Sequence, residues 1–127
     1  MTIESALVDL LGDIDAIKDG AISRVYPDVT PDVPVFPLIV YQGAGGQAYD
    51  YLERKLPDCE HYRIQVVSWA RTRAAASALA AQVRQRIIEQ GTAFASAKTL
   101  GQVVNLYEKD LKIRGSRQDF GIWIKAR

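Results

Sequence analysis

Two rhythms of apolar and polar positions run along this chain. From Ile3 to Ile14 the apolar residues Ile3, Leu7, Leu10, Leu11 and Ile14 recur at helical spacing, with Glu4, Asp9 and Asp13 on the other side. Thr2 suits the N-cap, Glu4 favours the first turn, and Gly20 is a natural stop. The same spacing returns in Ala76, Leu79, Ala80, Val83 and Ile87, after an N-capping Thr72 and before Gly91, and predicts a second helix. Between the helices the period changes to two. In residues 60–69, Tyr62, Ile64 and Val66 point one way while His61, Arg63, Gln65 and Val67 point the other, as in a half-buried strand.

The run Leu38, Ile39, Val40, Tyr41, Gln42 predicts another strand. It is approached through Pro27, Pro31, Pro34 and Pro37, which exclude regular helix and central strand over residues 21–37 and leave a short extended piece at 22–26 followed by a stiff connector. Residues 100–108 and 118–125 predict a closing hairpin around 110–117, with Gly115 and Ser116 in or near its turn. The resulting order predicts an α+β fold: one domain over residues 1–127, with a mainly antiparallel sheet of about four strands and two helices on one face.

Composition narrows the function. The chain has 127 residues, 48% hydrophobic and 24% charged, which is ordinary for a folded globular domain and excludes whole-chain disorder. One cysteine and one histidine exclude an internal disulfide and a Cys- or His-rich metal site. No apolar run reaches the roughly 20 residues of a membrane span, and the N-terminus lacks a basic leader region, so the expectation is a cytoplasmic chain with no membrane partner. The net charge of +1 hides a polarity. Residues 1–60 hold four basic and eleven acidic residues, net −7, and residues 61–127 hold twelve basic and four acidic, net +8. That suits a subunit whose unlike sides meet head to tail.

Candidate chemistry is sparse. Cys59 and His61 would share a strand face and could form a thiol–imidazole pair, although such pairs usually come from different elements. Gly43, Ala44, Gly45 and Gly46 follow a strand but match no phosphate-loop pattern. They open a connection, 43–57, that also holds Tyr49 and Tyr51; its glycines and lack of apolar period predict a segment mobile in the free subunit and ordered by assembly. Lys109, Lys112, Arg114, Arg117, Lys125 and Arg127 make the last hairpin basic, yet no reading helix accompanies them, so sequence-specific nucleic-acid binding is not expected. No catalytic residue, cofactor or metal is predicted. The sharper features are Trp69 and Trp123. Trp123 shares the polar strand face with Asp119 and Lys125, opposite Phe120, Ile122 and Ile124. An aromatic there is either covered locally or belongs to a subunit interface, which makes Trp123, Trp69 and Lys125 interface candidates.

Several stretches then combine: the opening helix with Arg24, Val25, Tyr26 and Pro27; the approach through Phe36 and Pro37 to the run 38–42; residues 62–70 leading into the Ala-rich helix with Val83 and Arg84; and residues 106–110 with the closing run 118–124. Together they resemble the tail completion, or tail terminator-like, proteins of long-tailed bacteriophages and prophages. The resemblance implies a small α+β subunit without catalytic residues. It implies a ring, typically hexameric, at the head-proximal end of the tail, which stops tube growth and meets the tail tube protein and the head–tail connector. Such a subunit would be made in the host cytoplasm and reside in the virion tail. The alternative is a small enzyme or ligand-binding domain using Cys59 and His61 or the Gly43 to Gly46 loop.

Overall fold

The computed structural model describes residues 2–48, 52 and 54–125. Helix α1 spans Ile3–Leu11, and Thr2 Oγ1 accepts from the Ser5 amide at 3.1 Å. It is shorter than its apolar pattern, because Ser23 donates its hydroxyl to the Gly12 carbonyl at 2.7 Å and ends it there. A 3₁₀ turn at Asp15–Ile17 keeps Ile14 and Ile17 buried without continuing the helix. A two-stranded ribbon follows, β1 (Lys18–Asp19) with β2 (Ile22–Ser23).

Among the described residues the main sheet has six strands: β3 (Val25–Pro27), β4 (Leu38–Gly43), β5 (Cys59–Ala70), β6 (Ser96–Thr99), β7 (Val104–Glu108) and β8 (Ile113–Lys125). Helix α2 (Arg73–Gln90) joins β5 to β6, and Thr72 Oγ1 caps it by accepting from the Ala75 amide at 3.1 Å. The order is β3-β4-β5-β8-β6, with β7 also paired to β8. The spine is β5 with β8, antiparallel along the whole of β5 from Cys59 opposite Lys125 to Ala70 opposite Arg114.

This is α+β with two helices on one face, but the expected four antiparallel strands become six in a mixed sheet. Two local causes account for the change. First, β3 pairs with β4 in parallel, Val25 beside Ile39. The proline-rich connector 28–37 only has to carry the chain back along a three-residue strand, about 10 Å, so it returns β4 beside β3 instead of turning a hairpin. Second, the expected strand at 100–108 is broken. Residues 96–99 and 104–108 each pair with β8, and the chain leaves the ladder at Gly101, whose φ of 95° few other residues adopt.

The turn of the last hairpin also lies earlier than expected, at residues 109–112. Lys112 takes a positive φ of 54° and Glu108 Oε1 accepts from the Asp110 amide at 3.1 Å. Gly115 and Ser116 lie inside β8, paired with Trp69 and Ser68.

Strand alternation divides the sheet into two faces. Ile39, Tyr41, Ile64, Val66, Phe120, Ile122 and Ile124 turn to the helices and close the core with Ile3, Leu7, Leu11, Leu79, Val83 and Ile87. Leu38, Val40 and Val67 are buried on the opposite face.

Candidate subunit interface

The outer face, away from the helices, holds the three interface candidates Trp123, Trp69 and Lys125. Trp123 is half-buried there, opposite His61 on β5 and beside Ser96 of the edge strand β6. Its ring centroid lies 5.0 Å from that of His61, with the planes tilted by 56°. Lys125 is exposed two positions further along the same face. Arg63 crosses to Asp119 with Nη2–Oδ2 at 2.7 Å and Nε–Oδ2 at 3.0 Å. With Gly121, which has no side chain to fill the space, Trp123, His61 and Arg63 line a cleft of about 560 Å³ that also takes in Gln47, Ser96 and Lys98. Its lining mixes the aromatic rings of Trp123 and His61 with the polar side chains of Arg63, Gln47, Ser96 and Lys98.

Trp69 sits on the same face but is not brought to Trp123. It stands opposite Gly115, eight positions from the level of Trp123 on β8, about 26 Å along the strand. Three of its ring atoms lie 2.8–3.2 Å from where a Gly115 Cβ would be. Trp69 is therefore packed onto its own sheet, whereas Trp123 borders the sheet edge.

The Gly-rich connection is tied to β5 at its start. Ala44 donates to the Arg63 carbonyl at 2.7 Å, Gly45 accepts from the Arg63 amide at 2.8 Å, and the Gln47 amide donates to His61 Nδ1 at 3.2 Å. Gly46, with φ 135°, passes so close that an added Cβ would collide with the His61 carbonyl, while the space around Gly43 is open. Tyr49 and Tyr51 lie outside the described residues.

Cys59 and His61 border a smaller cleft of about 260 Å³ with residues 45–48, Leu56 and Pro57. Among the described residues its polar groups do not converge. Cys59 and His61 are on the outer face, whereas Glu60 and Tyr62 belong to the helix face and bond to each other at 2.9 Å. His61 already uses Nδ1 for the Gln47 amide and its ring against Trp123. Among the described residues, no three of His, Cys, Asp and Glu gather in a way that could hold a metal ion, and no helix is long and apolar enough to cross a membrane.

One structural residue escaped sequence reasoning. Arg73, at the start of α2, sends Nη1 to the Gly115 carbonyl (2.9 Å), Ser116 Oγ (3.0 Å) and Asn105 Oδ1 (3.1 Å), and Nη2 to the Leu106 carbonyl (2.9 Å). A single guanidinium thus ties α2 to both β7 and β8. Its signal in the sequence is no more than an arginine beside the apolar stripe.

The family model described as "Tail completion protein gp17" matches residues 5–125, nearly the whole chain. The chain belongs to that family. As a tail completion protein it is a structural subunit of a bacteriophage-type tail. Among solved structures, a chain titled "Virion of native gene transfer agent (GTA) particle" superposes with a TM-score of 0.51 at 17% identity, covering 94% of this tail completion protein and 84% of that chain. At that identity the likeness is one of fold. No curated protein matches the chain.

Proposed function

We propose that this subunit closes a ring, a hexamer as the family resemblance implies, at the head-proximal end of the tail, where it halts tube growth and meets the head–tail connector. The observation that carries the reading is the placement of charge at opposite sheet edges. On the segments flanking β3, Asp15, Asp19, Asp28 and Asp32 outnumber Lys18 and Arg24, while Lys98, Lys109 and Lys112 outnumber Glu108 and Asp110 along the edge formed by β6, β7 and the turn that follows. A cyclic assembly is heterologous, so each subunit must offer two unlike surfaces to its neighbours. Edges of opposite sign steer encounter and fix register. Trp123, beside β6 with Lys125 on the same face, supplies an apolar anchor at the basic edge. The connection 43–57, tied to β5 through Ala44, Gly45 and Gln47, takes its final form against the tail tube protein. The role is structural, with no catalytic residue, cofactor or sequence-specific nucleic acid; the subunit assembles in the host cytoplasm.

The test is Trp123→Ala. The variant is expected to fold, by circular dichroism, and to leave tails overlong in electron micrographs because capping fails. Tails of normal length made with a folded Trp123→Ala protein would remove Trp123 from the interface.

A further inference from the structure

Two surfaces at opposite edges of the sheet fit one another. The first is the connector that returns β4 beside β3. It exposes Val29, Val33 and Val35 at 72%, 84% and 56% of their surfaces, and carries Asp28 and Asp32. Three valines so exposed on one segment are hard to reconcile with a subunit that works alone. No hydrogen bond joins residues 30–36 to any other described residue, so this strap keeps backbone donors and acceptors to offer. Its prolines limit the conformational freedom it would lose on docking.

The second surface is a groove of about 480 Å³ where the edge strand is broken between β6 and β7. One wall is α2, through Ser77, Ala80, Ala81, Arg84 and Ile88; the other is Val103. The small side chains leave room for an extended chain to lie close, and Ile88 is itself 42% exposed. Gln118 lines the floor and is only 4% exposed. Its Nε2 donates to the Gly101 carbonyl at 3.0 Å, but its Oε1 has no hydrogen-bond partner among the described residues. A buried acceptor of this kind costs stability until a donor reaches it. Arg84 at the rim is exposed and positive, while Glu89 closes the far end.

We infer that residues 28–36 of one subunit seat in the groove between α2 and Val103 on the next copy of this chain. The valines cover Ala80, Ala81, Ile88 and Val103, Asp32 meets Arg84, and a strap amide donates to Gln118 Oε1. Lengths agree: Val29 to Val35 spans at most about 20 Å of chain, and α2 from Ser77 to Glu89 rises about 18 Å. Strap and groove lie at opposite edges of one sheet, as a head-to-tail contact requires. The inference rests on the ring reading and names the surfaces that close the ring.

The test uses the full chain in tails assembled in cells. In a Cys59→Ser background, Val33→Cys and Ala81→Cys are placed on the same subunit and treated with a short bis-maleimide. A ladder of linked subunits ending at the ring size is expected. A ring of normal mass without the ladder would overturn the strap contact and leave the ring standing; absence of a ring from tails made with the unmodified chain would overturn both. As a second measurement, Asp32→Arg and Arg84→Asp are each expected to lower ring yield several-fold, and together to restore it. A double variant no better than the worse single one would overturn the contact. Both residues are exposed, so circular dichroism suffices to check folding.

Discussion

The ring of Trp69 occupies the space that a side chain at Gly115 would need: Cζ3 lies 2.8 Å, and Cε3 2.9 Å, from where a Cβ would stand. The two residues face each other across β5 and β8. The pair explains why a glycine sits in the middle of a strand, where it otherwise weakens the ladder. Gly115→Ala is therefore expected to cost about 1–3 kcal/mol, measured by urea denaturation. Adding Trp69→Leu should recover part of that loss. Purely additive effects in the double variant would show that the two side chains do not compete for the space.

Arg73 makes its four hydrogen bonds to backbone and side-chain groups of β7 and β8. Losing them removes the charged hydrogen bonds that tie α2 to β7 and β8. Arg73→Ala is expected to destabilise the fold by on the order of 2 kcal/mol, and Arg73→Lys to rescue little, because an ammonium cannot span the same fork. Hydrogen exchange should quicken first at Val104–Glu108. Unchanged protection there in Arg73→Ala would refute the clamp.

Stability should fall in strong alkali. The Tyr62 hydroxyl donates to Glu60 Oε2 at 2.9 Å, and this bond, with burial and the carboxylate charge, raises its pKa above the usual 10.0. Tyr41 is raised mainly by burial, then by Glu4 and Asp28. A raised folded-state pKa gives stability that is complete below the unfolded value and is lost as pH climbs through the folded one. The unfolding free energy should thus decline above about pH 10, and Tyr62→Phe should flatten that decline. An equally steep decline in the variant would locate the effect elsewhere.

Cys59→Ala should leave tail assembly and infectivity unchanged, since among the described residues the thiol joins no convergent set of polar groups in its cleft. Plaque counts on a host supplying the variant check this. Loss of infectious particles with a soluble, folded variant would revive the enzymatic alternative.

Raising salt should slow ring formation without unfolding the subunit, because screening weakens steering between charged edges more than it weakens the packed core. Assembly followed by light scattering, beside circular dichroism at each salt concentration, separates the two. Assembly rates independent of salt would count against charge-guided closure.

Local physics made much of this protein legible in sequence. Both N-caps, Thr2 and Thr72, the apolar stripe of α2 and the alternation of β5 depend on neighbours a few residues away, and each stands where its spacing predicts. Trp123 opposite the Phe120, Ile122 and Ile124 face follows from the same period of two. The family resemblance, too, lay in such stretches, and the family match covers them. What tertiary structure decided were matters of long-range partners. Ser23 stops α1 at Gly12, the strap sets β4 parallel to β3, and Trp69 keeps Gly115 inside β8 instead of in a turn. The groove needed the most distant information of all. It exists only because α2, the break at Gly101 and the buried Gln118 meet at one edge, and no periodicity within any one of those segments encodes the meeting.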